Sequence, residues 1–214
     1  MQMKNTKSFF LLTICSIALF FGFYFLNEMQ KTKQNQVAFS KFIAKIQVEA
    51  DLYRMNYELN IKMTGLKAPE VHCEESQNER RDLSYMVKDK PLLIYRFEGS
   101  NCTPCLEDIL KELLIQLSNS IDPDNVRMLV SRLTGRELKS FKRTHNIQIP
   151  IYIIPDESFD WIAEKNNRPY FFVLHPDMKI SHIYVPNKDF PELNKQYLED
   201  VKSFLSNGDL KMKD

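Results

Sequence analysis

Cys102-Thr103-Pro104-Cys105 follows the apolar run Pro91–Phe97 (PLLIYRF) after four intervening residues. The apolar run predicts a buried strand, and the leucines and isoleucines between residues 106 and 117 predict a helix behind the cysteines. Two cysteines separated by two residues between a strand and a helix are typical of a dithiol that cycles with a disulfide. The sequence therefore predicts electron exchange between thiols and disulfides.

The bulk composition argues against several other classes of function. The chain has 214 residues with 29 basic and 28 acidic side chains, which gives a net charge of +1. Nucleic-acid binding needs a strongly basic face, so no nucleic-acid partner is expected. The five glycines form neither a dinucleotide-binding nor a phosphate-binding loop pattern. Four cysteines in a chain of this length do not make a disulfide scaffold.

Residues 1–27 are predicted to form a membrane anchor. Phe9–Leu26 (FFLLTICSIALFFGFYFL) contains no charge, and a helix of that length spans about 27 Å, enough for a hydrocarbon core. No small-residue cleavage pattern follows it, so an uncleaved anchor is preferred to a cleaved signal peptide or a buried core helix. Lys4 and Lys7 favour an N-terminus inside the cell, although Lys31 and Lys33 weaken that bias. We expect a single-pass protein of the inner (cytoplasmic) membrane with its C-terminal domain in the periplasm or outside.

Residues 28–64 are predicted to form a helical stalk. Apolar side chains recur there at steps of three and four residues, which marks one face of a helix: Phe39, Phe42, Ile43, Ile46, Ala50 and Tyr53. The face could pair with a second copy as a homodimer, pack on its own domain, or lie on the membrane surface. Thr64-Gly65 is a helix-stop signal, so a folded domain is expected over residues 65–214.

Within that domain the pattern alternates between strands and helices. A capping box of Thr134 and Glu137 opens a helix, a short helix is expected around Trp161, and a turn at His175–Met178 joins two strands. The predicted elements after the cysteines are a helix at 106–118, a strand at 126–130, a helix at 138–145, a strand at 149–154, a helix at 156–165, strands at 169–174 and 180–185, and a helix at 191–205. This order predicts an α/β fold with a central mixed sheet and helices on both faces.

Three passages carry a family resemblance, which covers roughly residues 65–207: Gly65–Pro69, the CxxC after its strand, and Arg168–Leu174 (RPYFFVL). Together they resemble the thioredoxin fold and, in detail, membrane-anchored thiol–disulfide oxidoreductases of the TlpA/ResA type. The resemblance implies that Pro169 is a cis-proline beside the cysteines. The chain departs from the pattern at Asn101, where a tryptophan is usual, at Arg96, where a buried acid is usual, and at Arg168, where threonine or valine is usual.

The same residues supply candidate roles in catalysis. The positive end of a helix favours a Cys102 thiolate, which would act as nucleophile, with Cys105 as the resolving thiol. Arg168 is a candidate for stabilising that thiolate. Glu98 is a candidate proton acceptor for Cys105, with a surface carboxylate as the alternative, and it should share a strand face with Arg96. Arg96 could also stabilise the thiolate if its guanidinium reached the site, but the preferred interpretation is an ion pair with a nearby acid on the sheet face.

Cys73 is expected to be a quiet, partly buried thiol. A second resolving thiol and a metal ligand beside His72 are the alternatives that its sequence context leaves open. The isolated His145, His175 and His182 are expected on the surface or in turns, and Trp161 in the core.

The resemblance implies a membrane-tethered oxidoreductase that acts on extracytoplasmic protein disulfides and takes electrons from an upstream thiol donor. No cofactor is expected beyond the Cys102–Cys105 disulfide. The direction of electron flow stays open, because CxxC proteins range from reductants to strong oxidants. The alternative is a non-catalytic binding or metal-carrier module of the same fold.

Overall fold

The computed structural model describes residues 3–75, 80–87, 89–99, 110–111, 115, 122–166 and 168–211, without the side chains of residues 3–18, 166 and 207–211. The chain forms two compact units, Met1–Leu52 and Tyr53–Asp214. A single helix, α1 (Met3–Met63), runs through the first unit and into the second. The predicted stalk is therefore helical, and the second unit starts before the predicted domain boundary at residue 65.

Helix α1 includes the segment predicted as a membrane anchor. Among the residues that the structure describes, no helix has both the length and the apolar character needed to cross a membrane. Residues 9–18, the first part of the predicted anchor, have side chains outside the described set. The anchor stays a prediction from the sequence.

The second unit is built on a seven-stranded mixed sheet in the order β2-β1-β5-β4-β3-β6-β7. The strands are β1 (His72–Glu74), β2 (Arg80–Asp82), β3 (Leu92–Glu98), β4 (Val126–Ser131), β5 (Ile151–Ile153), β6 (Tyr170–Leu174) and β7 (Ile180–Tyr184). The helices after α1 are α2 (Leu83–Met86), α3 (Gly135–Thr144) and α4 (Pro191–Lys211). Strands β3, β4 and β5 are parallel, whereas β6 runs antiparallel to β3 and β7 antiparallel to β6.

Strand β3 lies inside the sheet because most of its side chains, on both faces, are apolar. Leu92 and Ile94 belong to one core cluster, and Leu93, Tyr95 and Phe97 belong to the cluster on the other face. This is the pattern expected of a strand buried between two layers. The predicted strand that leads to the cysteines is confirmed.

Helix α1 closes the sheet at β7 through two asparagines. The Asn56 side chain accepts from Val185 N at 2.7 Å and donates to Val185 O at 3.4 Å. Asn60 accepts from Ile183 N at 3.0 Å and donates to Ile183 O at 2.5 Å. After the helix, Gly65 adopts a positive φ of 85° and its N–H donates to Ile180 O at 2.8 Å. The last turns of α1 therefore occupy the place of a neighbouring strand.

The predicted strands after the cysteines are confirmed, and so are the helices predicted at 138–145 and 191–205, with shifted ends. Thr134 and Glu137 form the predicted capping box of α3. The helix predicted at 156–165 is wrong, since the described structure has only a 3-10 turn at Glu164–Asn166. Glu157 has a positive φ of 57°, which interrupts a helical backbone there. Trp161 is buried as expected and stacks on Phe159 at 4.3 Å.

The arrangement around β3 is that of a thioredoxin-like fold. Strand β3, which precedes the cysteines, lies between the parallel strand β4 and the antiparallel strand β6. Strand β6 forms a hairpin with β7, and helix α4 follows that hairpin. The expected fold class is confirmed. Strands β1 and β2 pair on either side of the charged segment 74–81, where the sequence favours a loop or hairpin turn. The sequence did not predict that this pair extends the sheet beyond β5.

Candidate functional site

The candidate site lies where β3 ends and the chain continues toward Cys102. The four residues of the CxxC lie outside the described residues, as does most of the helix predicted after it. Leu110, Lys111 and Ile115 are helical, and Leu110 is buried in the core. The described structure thus provides the strand before the cysteines and part of the helix after them.

Gly99 is fixed by the close approach of β3 and the segment after β4. Its N–H donates to Ser131 O at 2.9 Å. A Cβ at this position would lie 2.5 Å from Leu133 Cδ2 and 2.7 Å from Arg132 O. Only a residue without a side chain fits, so Gly99 sets the path of the chain three residues before Cys102.

Arg96 is the centre of a buried polar network. Its side chain is 2 % exposed, and its Nε donates to Glu164 Oε1 at 2.9 Å while Nη2 donates to Glu164 Oε2 at 3.2 Å. Nη2 also donates to Ser131 Oγ at 2.8 Å, and Nη1 donates to Phe97 O. Tyr170 donates its hydroxyl to Glu164 Oε1 at 2.7 Å. The expected ion pair of Arg96 with an acid is confirmed, and the acid is Glu164, which belongs to the 3-10 turn before β6 and not to a strand.

Tyr170 stays protonated in this network. Burial is the main cause that raises the pKa of its hydroxyl, and the negative charge of Glu164 raises it further. A phenol that keeps its proton can donate to the carboxylate, so Glu164 receives hydrogen bonds from both an arginine and a tyrosine. The buried guanidinium therefore has a bidentate counter-ion that is itself held in place.

Glu98 pairs with a different arginine. Arg132 Nη1 lies 2.9 Å from Glu98 Oε2, and Arg132 Nε lies 3.3 Å from Asp156 Oδ2. The backbone of Arg132 has a positive φ of 58°, an unusual conformation for a residue with a side chain. Arg132 belongs to no motif, so its pairing with Glu98 is not predictable from the sequence. The proposed proton exchange between Glu98 and Cys105 stays a prediction.

The segment before β6 reaches the same edge of the sheet. Tyr170 pairs with Arg96 in the antiparallel ladder, so Pro169 lies at the end of β6 nearest to the end of β3. The described residues contain no cis peptide bond, so the predicted cis form of Pro169 is wrong in this structure. The trans isomer of a proline bond is intrinsically favoured by about 0.5–1 kcal/mol. Arg168 is exposed, and its proposed action on the thiolate stays a prediction.

Cys73 does not lie beside β3. It sits on β1, which β5 and β4 separate from β3, at about 14 Å by the spacing of strands. Its side chain is buried, and burial raises the pKa of the Cys73 thiol to about 12. His72 is exposed and bonded to Asp82 at 2.5 Å. Because adjacent strand residues point to opposite faces, His72 and Cys73 do not form a joint metal site.

A second polar cluster lies on the β6–β7 hairpin, where the sequence predicted isolated histidines. Ser181 Oγ lies 2.7 Å from His175 Nε2 and 2.7 Å from His182 Nδ1. The ring of Phe204 on α4 packs at 4.4 Å from His182. Burial lowers the pKa of both imidazoles, and Asp177 opposes the shift at His175. His175 and Ser181 also line an open cavity of about 470 Å³.

No group of three or more metal-ligating side chains occurs within the described part of the chain.

The comparisons with known proteins add structural neighbours. The sequence matches no protein-family model and no curated protein. The peroxidoxin BcpB from Mycobacterium tuberculosis is similar with a TM-score of 0.46 at 13 % identity, over 65 % of this chain and 97 % of that one. The thioredoxin domain of a thiol-disulfide oxidoreductase from Bacteroides vulgatus is similar with a TM-score of 0.46 at 12 % identity, over 63 % of this chain and 97 % of that one. A yeast mitochondrial 1-Cys peroxiredoxin is similar with a TM-score of 0.47 at 13 % identity, over 66 % of this chain and 75 % of that one. These similarities are low, and the fold assignment rests on the sheet described above.

Proposed function

We propose that this protein is a membrane-tethered thiol–disulfide oxidoreductase that acts on protein disulfides outside the cytoplasm. One observation carries the proposal: the CxxC sequence falls between β3, an interior strand of a thioredoxin-like sheet, and a helical segment that follows it in the chain. A cysteine at the start of a helix gains thiolate character from the unpaired N–H groups of the first turn. Such a thiolate can attack a disulfide at neutral pH.

The reaction takes place in two exchanges. The Cys102 thiolate attacks one sulfur of a partner disulfide, which forms a mixed disulfide and releases the other partner sulfur as a thiolate. The Cys105 thiolate then attacks Cys102 and releases the second partner sulfur. The partner gains two electrons and two protons, and the chain is left with a Cys102–Cys105 disulfide. A dithiol donor restores the reduced pair, and the reverse sequence oxidises a partner.

The tether and compartment are supported by the sequence. The uncharged run 9–26 is long enough to span a bilayer, and lysines precede it. A dithiol that exchanges with structural disulfides is useful where disulfides form, which is outside the cytoplasm. An alkaline phosphatase fused to the C-terminus should be active in a bacterial host. A stable but inactive fusion would reject this orientation and leave the redox proposal intact.

The redox activity is tested with the full chain in mild detergent. Wild type should reduce insulin in the presence of dithiothreitol, and Cys102→Ser should abolish turnover. Cys105→Ser should accumulate a mixed disulfide, since the resolving thiol is missing, whereas Cys73→Ala should keep wild-type turnover. A chain that fails to turn over and whose Cys102–Cys105 disulfide resists dithiothreitol would contradict the proposal. The measured reduction potential then decides direction: about −270 mV favours a reductase and about −120 mV an oxidant.

A further inference from the structure

An apolar seam follows one side of helix α1 within the first unit. Its larger apolar side chains are 44 to 68 % exposed in the single chain. The seam consists of Phe25, Met29, Phe39, Ile43, Ile46 and Ala50. Four of these large apolar side chains, Met29, Phe39, Ile43 and Ile46, lie beyond the run 9–26 that is proposed to span the membrane, and their position on one stripe of a long helix indicates a contact surface.

The spacing of the seam is that of a coiled coil. From residue 25 to residue 50 the positions advance by alternating steps of four and three, which is the a/d pattern of a heptad repeat. Two polar residues fill the remaining a and d positions, Thr32 at d and Gln36 at a. Thr32 donates its hydroxyl to Glu28 O at 2.9 Å, so its donor is already satisfied within the helix. A single polar residue at an a position, here Gln36, is a known way to fix the register of two helices.

The flanking charges favour two parallel copies. In the same register Glu28 occupies a g position and Lys33 the e position of the following heptad. In a parallel pair the g residue of one helix lies beside the next e residue of its partner, so each Glu28 meets a Lys33 of the other copy, twice by symmetry. Glu28 also pairs with Lys31 of its own helix at 3.1 Å, and its two carboxylate oxygens can accept from both lysines. The f positions on the far side of the helix are mostly polar: Asn27, Gln34, Lys41 and Val48.

We propose that residues 25–50 of α1 form a parallel two-stranded coiled coil with a second copy of this chain. The periodic seam supplies the apolar core of that contact, and the Glu28–Lys33 complementarity supplies its orientation. Phe42, which is also exposed, lies at a g position and extends the apolar strip beside Ile43. The proposal is independent of the redox function.

The test measures the mass of the full chain in detergent by size-exclusion chromatography with light scattering, under dithiothreitol to exclude disulfide-linked pairs. Wild type is expected as a dimer. Ile46→Glu places two charges in the core of the seam and should give a monomer. Val48→Glu makes the same kind of change at an exposed f position two residues away and should remain a dimer. A monomeric wild type, or equal effects of the two variants, would overturn the proposal.

A charge exchange tests the parallel orientation without disturbing the core. Glu28→Lys and Lys33→Glu should each raise the dissociation constant of the dimer by up to about tenfold, because each change removes both exposed Glu28–Lys33 pairs. The double variant should recover wild-type association. If the double variant is as weak as the single ones, the parallel register is wrong. A wild-type chain that is monomeric while its seam binds vesicles would assign the face to a lipid surface instead.

Discussion

Replacing Glu164 by glutamine should show how strongly the buried network depends on its ion pair. The change keeps the shape of the side chain and removes its charge. Arg96 is 2 % exposed whereas Glu164 is 18 % exposed, so the guanidinium is the partner that water cannot reach. Removing the carboxylate leaves that charge buried and uncompensated, and removing the guanidinium leaves a carboxylate that water can still approach.

The expected costs follow from this asymmetry. Removing one partner of a buried ion pair typically lowers the free energy of unfolding by about 3–5 kcal/mol. For Glu164→Gln we expect a loss of about 3 kcal/mol, because the amide oxygen still accepts one hydrogen bond. Arg96→Met replaces the stem by an apolar chain of similar length in a mostly apolar core and should cost about 2 kcal/mol. The double variant contains no buried charge and should also cost about 2 kcal/mol. Glu164→Gln is therefore expected to cost about 3 kcal/mol with Arg96 present and almost nothing without it.

Urea unfolding followed by tryptophan fluorescence measures these free energies. The chain has one tryptophan, Trp161, and it lies in the core cluster on the sheet face that also contains Tyr170. The slope of the transition should be unchanged, which indicates that the denatured state is the same in each variant. Arg136→Met, a change at an exposed arginine on α3, should alter stability by less than about 0.5 kcal/mol.

Additive costs would refute this reasoning. If Glu164→Gln cost the same with and without Arg96, the two side chains would not be energetically coupled, whatever their distance. A Glu164→Gln variant as stable as wild type would mean that Arg96 finds another acceptor or reaches water.

Three further predictions concern other parts of the fold. Gly99→Ala should lower stability by about 1–3 kcal/mol, because its Cβ would overlap Leu133, and thermal unfolding measures it. Stability should fall as the pH drops from about 7 to 5, since the lowered pKa values of His175 and His182 mean that the unfolded chain binds more protons there. His175→Gln with His182→Gln should flatten that dependence in urea titrations. Cys73 should resist iodoacetamide at pH 8 in the folded chain, as mass spectrometry of its peptide would show.

Each of these has a matched control. Gly135→Ala should be tolerated, because nothing lies within 4 Å of a Cβ at that position, and a loss equal to that of Gly99→Ala would contradict the steric argument. Gln148→Ala, a change at an exposed side chain that does not titrate, should leave the pH dependence unchanged. The Cys73 thiol should react fully in urea, and rapid reaction without denaturant would show that it is accessible.

The sequence predicts the parts of the fold whose signals are local. The apolar run before Cys102, the capping box at Thr134 and the turn after β6 depend on residues that are neighbours in the chain, and all are confirmed. The helix expected around Trp161 is wrong because the apolar spacing there reflects side chains that reach the core from an irregular segment. The burial of Trp161 results from tertiary packing, but in the sequence the same apolar spacing looks like one face of a helix.

The site residues that the sequence misses come together only through the sheet. Glu164 lies 68 positions after Arg96, and Arg132 lies 34 positions after Glu98, without any motif that links them. An arginine inside an apolar strand does signal that a counter-ion must exist, because a buried unpaired charge is costly. The identity of that counter-ion depends on the path of the chain between β5 and β6, which no local pattern specifies.

The asparagines of α1 also bind a part of the sheet that is distant in the sequence. Four residues of helix rise by about 6 Å, and two residues of strand by about 6.6 Å. Asn56 and Asn60 therefore match the backbone groups of Val185 and Ile183, and each amide supplies one acceptor and one donor as a neighbouring strand would. In the sequence they look like two polar residues on an exposed face of a helix. Their spacing of four, matched to a strand spacing of two, is what lets the end of a helix satisfy the open edge of β7 and replace an eighth strand.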